Sequence, residues 1–179
     1  MVNAGHIKDA DEYIQNMLND SIGMEKDELS RTGNIVVDSL VNHKYALALK
    51  NNIQFETRVF IPSVLPFQNG HLAIIFGNLL ENALEACQKL PEEQQYILLE
   101  ATYTKEMLQI CIKNSCQLKQ KRDSNGRYLT TKEDASCHGI GLVSVEQALA
   151  EYDGELFIEN ERGKFRVSAV LYGNSIREK

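Results

Sequence analysis

The chain has 179 residues, 43% hydrophobic and 25% charged, with a formal net charge of −6. That length supports one good-sized core, or one domain with a helical appendage, and the acidic balance argues against a nucleic-acid binder, which usually carries a basic face. No apolar run approaches the ~20 residues of a membrane-spanning helix and no signal-peptide pattern opens the chain, so any anchor of the full-length protein is expected outside this segment.

The N-terminal stretch Lys8 to Leu18 has a weak helical pattern in Ala10, Ile14, Met17 and Leu18, followed by a loop from Ser21 to Gly33. Ile35 to Lys50 reads as a stronger helix with Val37, Leu40, Val41, Leu47 and Ala48 on one side, ended by Asn51-Asn52. Ile53, Phe55, Thr57, Val59 and Ile61 alternate with mostly polar residues, as in a half-buried strand. Pro62, Pro66 and Gly70 punctuate the next connection.

His71 to Leu90 is predicted as a helix whose broad apolar face holds Leu72, Phe76, Leu79, Leu80, Ala83, Leu84, Cys87 and Leu90, with Pro91 at its end. Asn78 and Asn82 lie four residues apart on it, one above the other, and Glu85 extends the polar stripe. Asparagine is a moderate helix former that prefers caps and turns. Amide oxygens and carboxylates are hard ligands suited to Mg²⁺, which usually arrives with phosphates. The competing reading is an ordinary solvated helix face.

Tyr96 to Thr102 and Met107 to Lys113 form a predicted hairpin. The polar stretch from Ser115 to Ser136, roughly twenty residues, is long for a compact domain and fits a functional lid. Within it Lys132 is a candidate phosphate contact, while Thr130 and Glu133 also match a capping box. His138-Gly139-Ile140-Gly141 then leads into a helix striped by Leu142, Val145, Leu149 and Tyr152, with Gly154 as its C-terminal cap. Glycines ahead of a helix let backbone N–H groups approach an anion, although a tight turn accounts for them equally. Glu155 to Glu159 and the alternating Phe165, Val167, Ala169 and Leu171 make a second hairpin about Glu161-Arg162-Gly163. With strands mostly in antiparallel pairs, the expected class is α+β, a sheet with helices on one face.

The four cysteines, Cys87, Cys111, Cys116 and Cys137, form no C-x-x-C pair, and with His138 their spacings do not match zinc ligands. Cys87 reads as a reduced thiol filling the core, which places the chain in the cytoplasm. Neither a G-x-S-x-G elbow nor a P-loop is present.

Taken together, Gly77-Asn-Leu-Leu-Glu-Asn-Ala-Leu-Glu-Ala-Cys87, Thr131-Lys132, His138-Gly-Ile-Gly-Leu142, Tyr152-x-Gly154, and Asp38, Leu40 and Lys44 before the first strand are similar to the ATP-binding domain of histidine kinases, of the GHKL ATPase superfamily. Over about residues 33 to 172 the chain resembles in particular the sensor kinases of Gram-positive quorum-sensing peptides, the accessory-gene-regulator type. The resemblance implies a two-layer α/β sandwich, the GHKL or Bergerat fold, over residues 33–179, with residues 1–32 as a helical remnant of the dimerisation and phosphoacceptor region.

It further implies that Asn78 and Asn82 hold Mg²⁺ against the phosphates of ATP, that Gly139 and Gly141 cradle those phosphates, and that Lys132 approaches them from the lid. Asn114 stands where most relatives place an aspartate that accepts from the adenine amino group; an amide oxygen can accept the same bond. The D-x-G-x-G box is otherwise missing, which implies weakened adenine affinity. Asn78 replaces the glutamate that activates water in hydrolysing relatives, and an amide is no general base. Glu85 departs from the cation common in histidine kinases.

The implied activity is transfer of the γ-phosphoryl of ATP to a histidine outside this fragment, since His6, His43, His71 and His138 do not fit the acceptor. The fragment alone is then not expected to autophosphorylate. The implied partners are a response regulator and a second copy in the full-length protein, with a membrane reached only through a missing N-terminal segment and no nucleic acid. The alternative is a non-catalytic scaffold or phosphotransfer protein that kept the fold and lost the nucleotide.

Overall fold

The computed structural model describes residues 30–117, 135–161 and 163–173, with only the backbone described for 135–140 and 161. The Lys8–Leu18 helix, Lys132 and most of the expected lid lie outside the described residues.

Helix α1 spans Ile35–Lys50, the bounds its sequence pattern predicts. Its start is set by side chains: Asn34 caps it by accepting the Val37 N–H at 3.1 Å. Asp38 gathers the preceding loop by accepting from Ser30 Oγ, the Thr32 N–H and Oγ1, and the Gly33 N–H. At the other end Asn52 turns left-handed at φ 57°. The Ile53 N–H then reaches back to the Ala48 carbonyl at 2.9 Å and the Asn52 N–H to Leu49 at 3.1 Å, the bond pair of a Schellman motif. Asparagine tolerates this conformation better than most residues, so Asn51-Asn52 ends the helix as expected.

Strand β1 (Gln54–Phe60) leads into helix α2 (Asn69–Cys87), a short 3₁₀ turn at Glu92–Gln94, and strands β2 (Tyr96–Thr104) and β3 (Met107–Ser115). Helix α3 (Ala135–Ala150) and strands β4 (Glu155–Glu161) and β5 (Lys164–Tyr172) follow. The sheet order is β1-β2-β3-β5-β4. β1 and β2 run parallel, with α2 as the crossover between them; the other pairs are antiparallel. The β2–β3 hairpin turns on Lys105 and Glu106, both at positive φ (50° and 59°), a geometry that Asn-Gly adopts more readily.

The three helices cover one face of the sheet. Leu72, Ile75, Phe76, Leu79 and Leu80 of α2 are fully buried above Ile97 and Leu99 of β2 and Leu108, Ile110 and Ile112 of β3. Every alternate residue of β3 belongs to this inner face. The outer face carries mixed charge: Glu100 takes Lys113 at 2.8 Å and Arg58 at 3.3 Å across neighbouring strands. Lys113 above all holds the Glu100 carboxyl below its ordinary range. Cys87, Cys111 and Cys116 are free thiols. Cys87 is buried beneath the end of α2, donating to the carbonyls of Tyr96 and Ser115, and its burial pushes its pKa up to about 11.

Two glycine readings are corrected. The expected Gly-x-Gly ahead of the third helix lies inside it, because α3 already begins at Ala135 and places Gly139 and Gly141 in its second turn. Glycine there costs about 0.5–1 kcal/mol relative to alanine; at Gly141 a close approach described below uses the missing side chain. At the other end, the left-handed residue is Asp153 (φ 50°), not Gly154. Gly154 closes the Schellman bond to Leu149 at 2.9 Å, and a Cβ on it would stand 2.4 Å from the Val170 carbonyl. Glycine is needed there so that two backbones can touch.

Candidate functional site

Helices α2 and α3 pack side by side, with the start of α2 against the end of α3. α2 devotes one broad face to the core, and the stripe of Asn78, Asn82 and Glu85 falls at its boundary, each half-buried. The Asn78 Nδ2 donates to the Ile74 carbonyl one turn back, at 2.8 Å. That bond fixes the amide and leaves Oδ1 as the atom presented outward. Opposite it stands Gly141 of α3: a Cβ there would lie 3.1 Å from Asn78 Oδ1. The gap between the two helices is therefore bounded by an amide oxygen on one side and bare backbone on the other.

Asn82 lies one turn further along α2, and among the described residues its amide makes no hydrogen bond. Its neighbour Glu81 points toward α1, where it pairs with Lys44, which is 4% exposed. A lysine so enclosed needs a charged partner, and this pair ties α1 to the helix that carries both asparagines. The signal for it was in the sequence, since Lys44 sits three and four residues from Val41 and Leu40 on the apolar side of α1.

Asn114 occupies the last inward-facing position of β3, in line with Leu108, Ile110 and Ile112, and is 3% exposed. Its Nδ2 donates to the Ser115 carbonyl at 2.9 Å, leaving Oδ1 as the acceptor it presents. Cys87 contacts that same Ser115 carbonyl, so Asn114 lies beneath the C-terminal half of α2, the half that carries Asn82. The structure thus brings Asn78 and Gly141 face to face and sets Asn114 under the same helix. Gly139 is on the α3 backbone two residues from Gly141, and Lys132 lies outside the described residues.

At the far end of the helix pair is a cluster that sequence reasoning missed. The Tyr152 hydroxyl accepts the Gln68 N–H at 2.9 Å and lies 2.8 Å from His71 Nδ1. Burial lowers the His71 pKa, against an opposing pull from Glu151, and burial raises that of Tyr152. The available signal was an apolar helical stripe ending in a tyrosine, whose hydroxyl needs a partner once buried.

Comparison with known proteins places this arrangement. The family model for the GHKL domain matches residues 68–171, more than half of the chain. The fold is similar to the nucleotide-free catalytic domain of the histidine kinase ThkA (TM-score 0.61, 15% identity, 83% of this chain and 97% of that one). It is similar also to the histidine kinase domain of a blue-light-activated kinase from Erythrobacter litoralis (TM-score 0.62, 12% identity, 96% and 75%) and to the mycobacterial sensor histidine kinase MprB (TM-score 0.53, 15% identity, 74% and 91%). At such identities the likeness is one of fold. No curated protein sequence matches the chain significantly. The two-layer sandwich, its mixed five-stranded sheet and the family match together make this chain a member of the GHKL family, with the fold of histidine kinase catalytic domains.

Proposed function

We propose that this chain is the ATP-binding catalytic domain of a two-component sensor histidine kinase of the Gram-positive quorum-sensing type. The reading rests above all on the Asn78 oxygen facing the bare backbone of Gly141 across the α2–α3 gap. A side chain at position 141 would crowd the Asn78 oxygen, whereas glycine leaves that oxygen facing backbone alone. Asn78 and Asn82 are the residues that would hold Mg²⁺, and amide oxygens suit that hard cation. Bound there, the ion would neutralise phosphate charge.

The chain's own residues position the nucleotide. Asn78, anchored through Ile74, presents a fixed oxygen; Gly139 and Gly141 let backbone come close; Lys132 adds charge from the lid; and Asn114 accepts from the adenine amino group. Little covalent work is asked of the protein in phosphoryl transfer, where positioning and charge neutralisation dominate. Asn78 cannot take a proton from water, which favours transfer to a histidine over hydrolysis. The acceptor histidine, the response regulator and the second copy of the kinase lie outside this chain. On this reading residues 1–32 belong to the dimerisation region. None of the described helices is long and apolar enough to cross a membrane.

Titration calorimetry with Mg-ATP at millimolar concentration tests this. Magnesium-dependent heat is the expected result; no heat and no thermal shift would sink it. That outcome would favour the second reading, a scaffold without nucleotide, for which the amide at position 114 in place of an aspartate is the favouring observation.

A further inference from the structure

The Tyr152 hydroxyl carries one proton. Because it accepts the Gln68 N–H, the arrangement that also gives that proton an acceptor has Tyr152 donate to His71 Nδ1, which is then the unprotonated nitrogen of a neutral ring. The donor chain runs from the backbone at the start of α2, through Tyr152 at the end of α3, back to the first turn of α2. The rings reinforce it: Tyr152 meets His71 edge-on at 5.5 Å and Phe67 edge-on at 5.0 Å. Gln68 is the N-cap residue of α2 and makes no side-chain capping bond, so Tyr152 acts at this helix start from across the interface. Asn78 lies two turns along α2 from His71. Gly141 lies nine residues back from Ala150, the last residue of α3, about 13.5 Å at helical rise. Helix spacing fixed at one end therefore sets the gap at the other.

We propose that Gln68, His71 and Tyr152 form a hydrogen-bonded latch that positions Asn78 against Gly141, and that the latch closes only while His71 is neutral. Protonation would put a donor on Nδ1, facing a hydroxyl that already accepts one bond, and Tyr152 would lose the acceptor for its own proton. From beyond the end of α3 Glu151 pulls toward the protonated ring, while burial pushes against it. The inference rests on the nucleotide-site reading above for its consequence, though not for its geometry.

The full chain carries the test in two variants, Tyr152→Phe and His71→Asn; the Asn oxygen can accept in place of Nδ1 but does not titrate. Mg-ATP affinity is measured at pH 7.5 and 5.5, and amide hydrogen exchange of Leu142 to Val145 is measured without nucleotide. Tyr152→Phe is expected to weaken binding by about tenfold, the order of one lost hydrogen bond, and to speed exchange at Leu142 to Val145. His71→Asn is expected to bind like wild type at pH 7.5 and to lose less affinity than wild type at pH 5.5. Unchanged affinity and exchange in Tyr152→Phe, or a wild-type pH profile in His71→Asn, would overturn the latch. Should wild type bind no Mg-ATP, the nucleotide reading fails, and exchange in Tyr152→Phe still decides the latch. Should Tyr152→Phe not fold, the pH profile of His71→Asn decides it.

Discussion

Helices α2 and α3 face each other across the candidate site, yet they are held in different ways. α2 is fixed along its length, by a core face of fully buried residues, by the Lys44–Glu81 pair to α1 and by Cys87 over the ends of β2 and β3. Among the described side chains, those that fix α3 lie toward its end, where Val145, Leu149 and Tyr152 are buried and Gly154 touches Val170. In the proposed site α2 is thus the firm wall, and α3 is the wall whose described anchors lie toward its end.

The difference is most strongly broken at Gly154. Gly154→Ala forces a Cβ onto the Val170 carbonyl and should cost about 3 kcal/mol, read as a lower urea midpoint with m unchanged. On the firm wall, Asn82→Ala should lower magnesium-dependent ATP binding on the order of a hundredfold while the melting temperature holds; unchanged affinity would remove Asn82 from the site. On the other wall, Gly141→Ala sets a helix-propensity gain of about 0.5–1 kcal/mol against a Cβ 3.1 Å from the anchored Asn78 Oδ1, so the melting temperature should stay close to wild type while nucleotide binding weakens about tenfold.

The smallest effect expected is on stability against pH. The folded His71 pKa lies below its unfolded value of 6.5, so between the two the unfolded chain binds the extra proton. The His71 contribution is therefore complete above the unfolded pKa and falls as pH drops below it. Urea titrations at pH 7.5 and 5.5 should show a smaller loss in His71→Asn than in wild type.

Much of the local structure was legible because its causes are local. The Ile35–Lys50 helix is bounded by asparagines at both ends, and alternation along Phe165 to Leu171 leaves little choice of face. The parallel pairing of β1 with β2 was not legible, since nothing in either strand names its neighbour. Gly154 read as a conformational glycine because its contact with Val170 comes from a strand elsewhere in the sequence. In the site, the spacing of Asn78 and Asn82 announced itself on one helix. The burial of Asn114 beneath that helix, and the partners of Tyr152 and Lys44, arise only when separate elements meet.

Cys87 gives the domain a clock. With a pKa of about 11, only about one such thiol in ten thousand is ionised at neutral pH, and burial shields even that fraction from reagents. Once the half-exposed Cys111 and the other cysteines are replaced by serine, alkylation of Cys87 can proceed only when the end of α2 lifts from Tyr96 and Ser115. The slow labelling rate then counts those excursions, and a ligand seated beneath the helix would register as a longer interval between ticks.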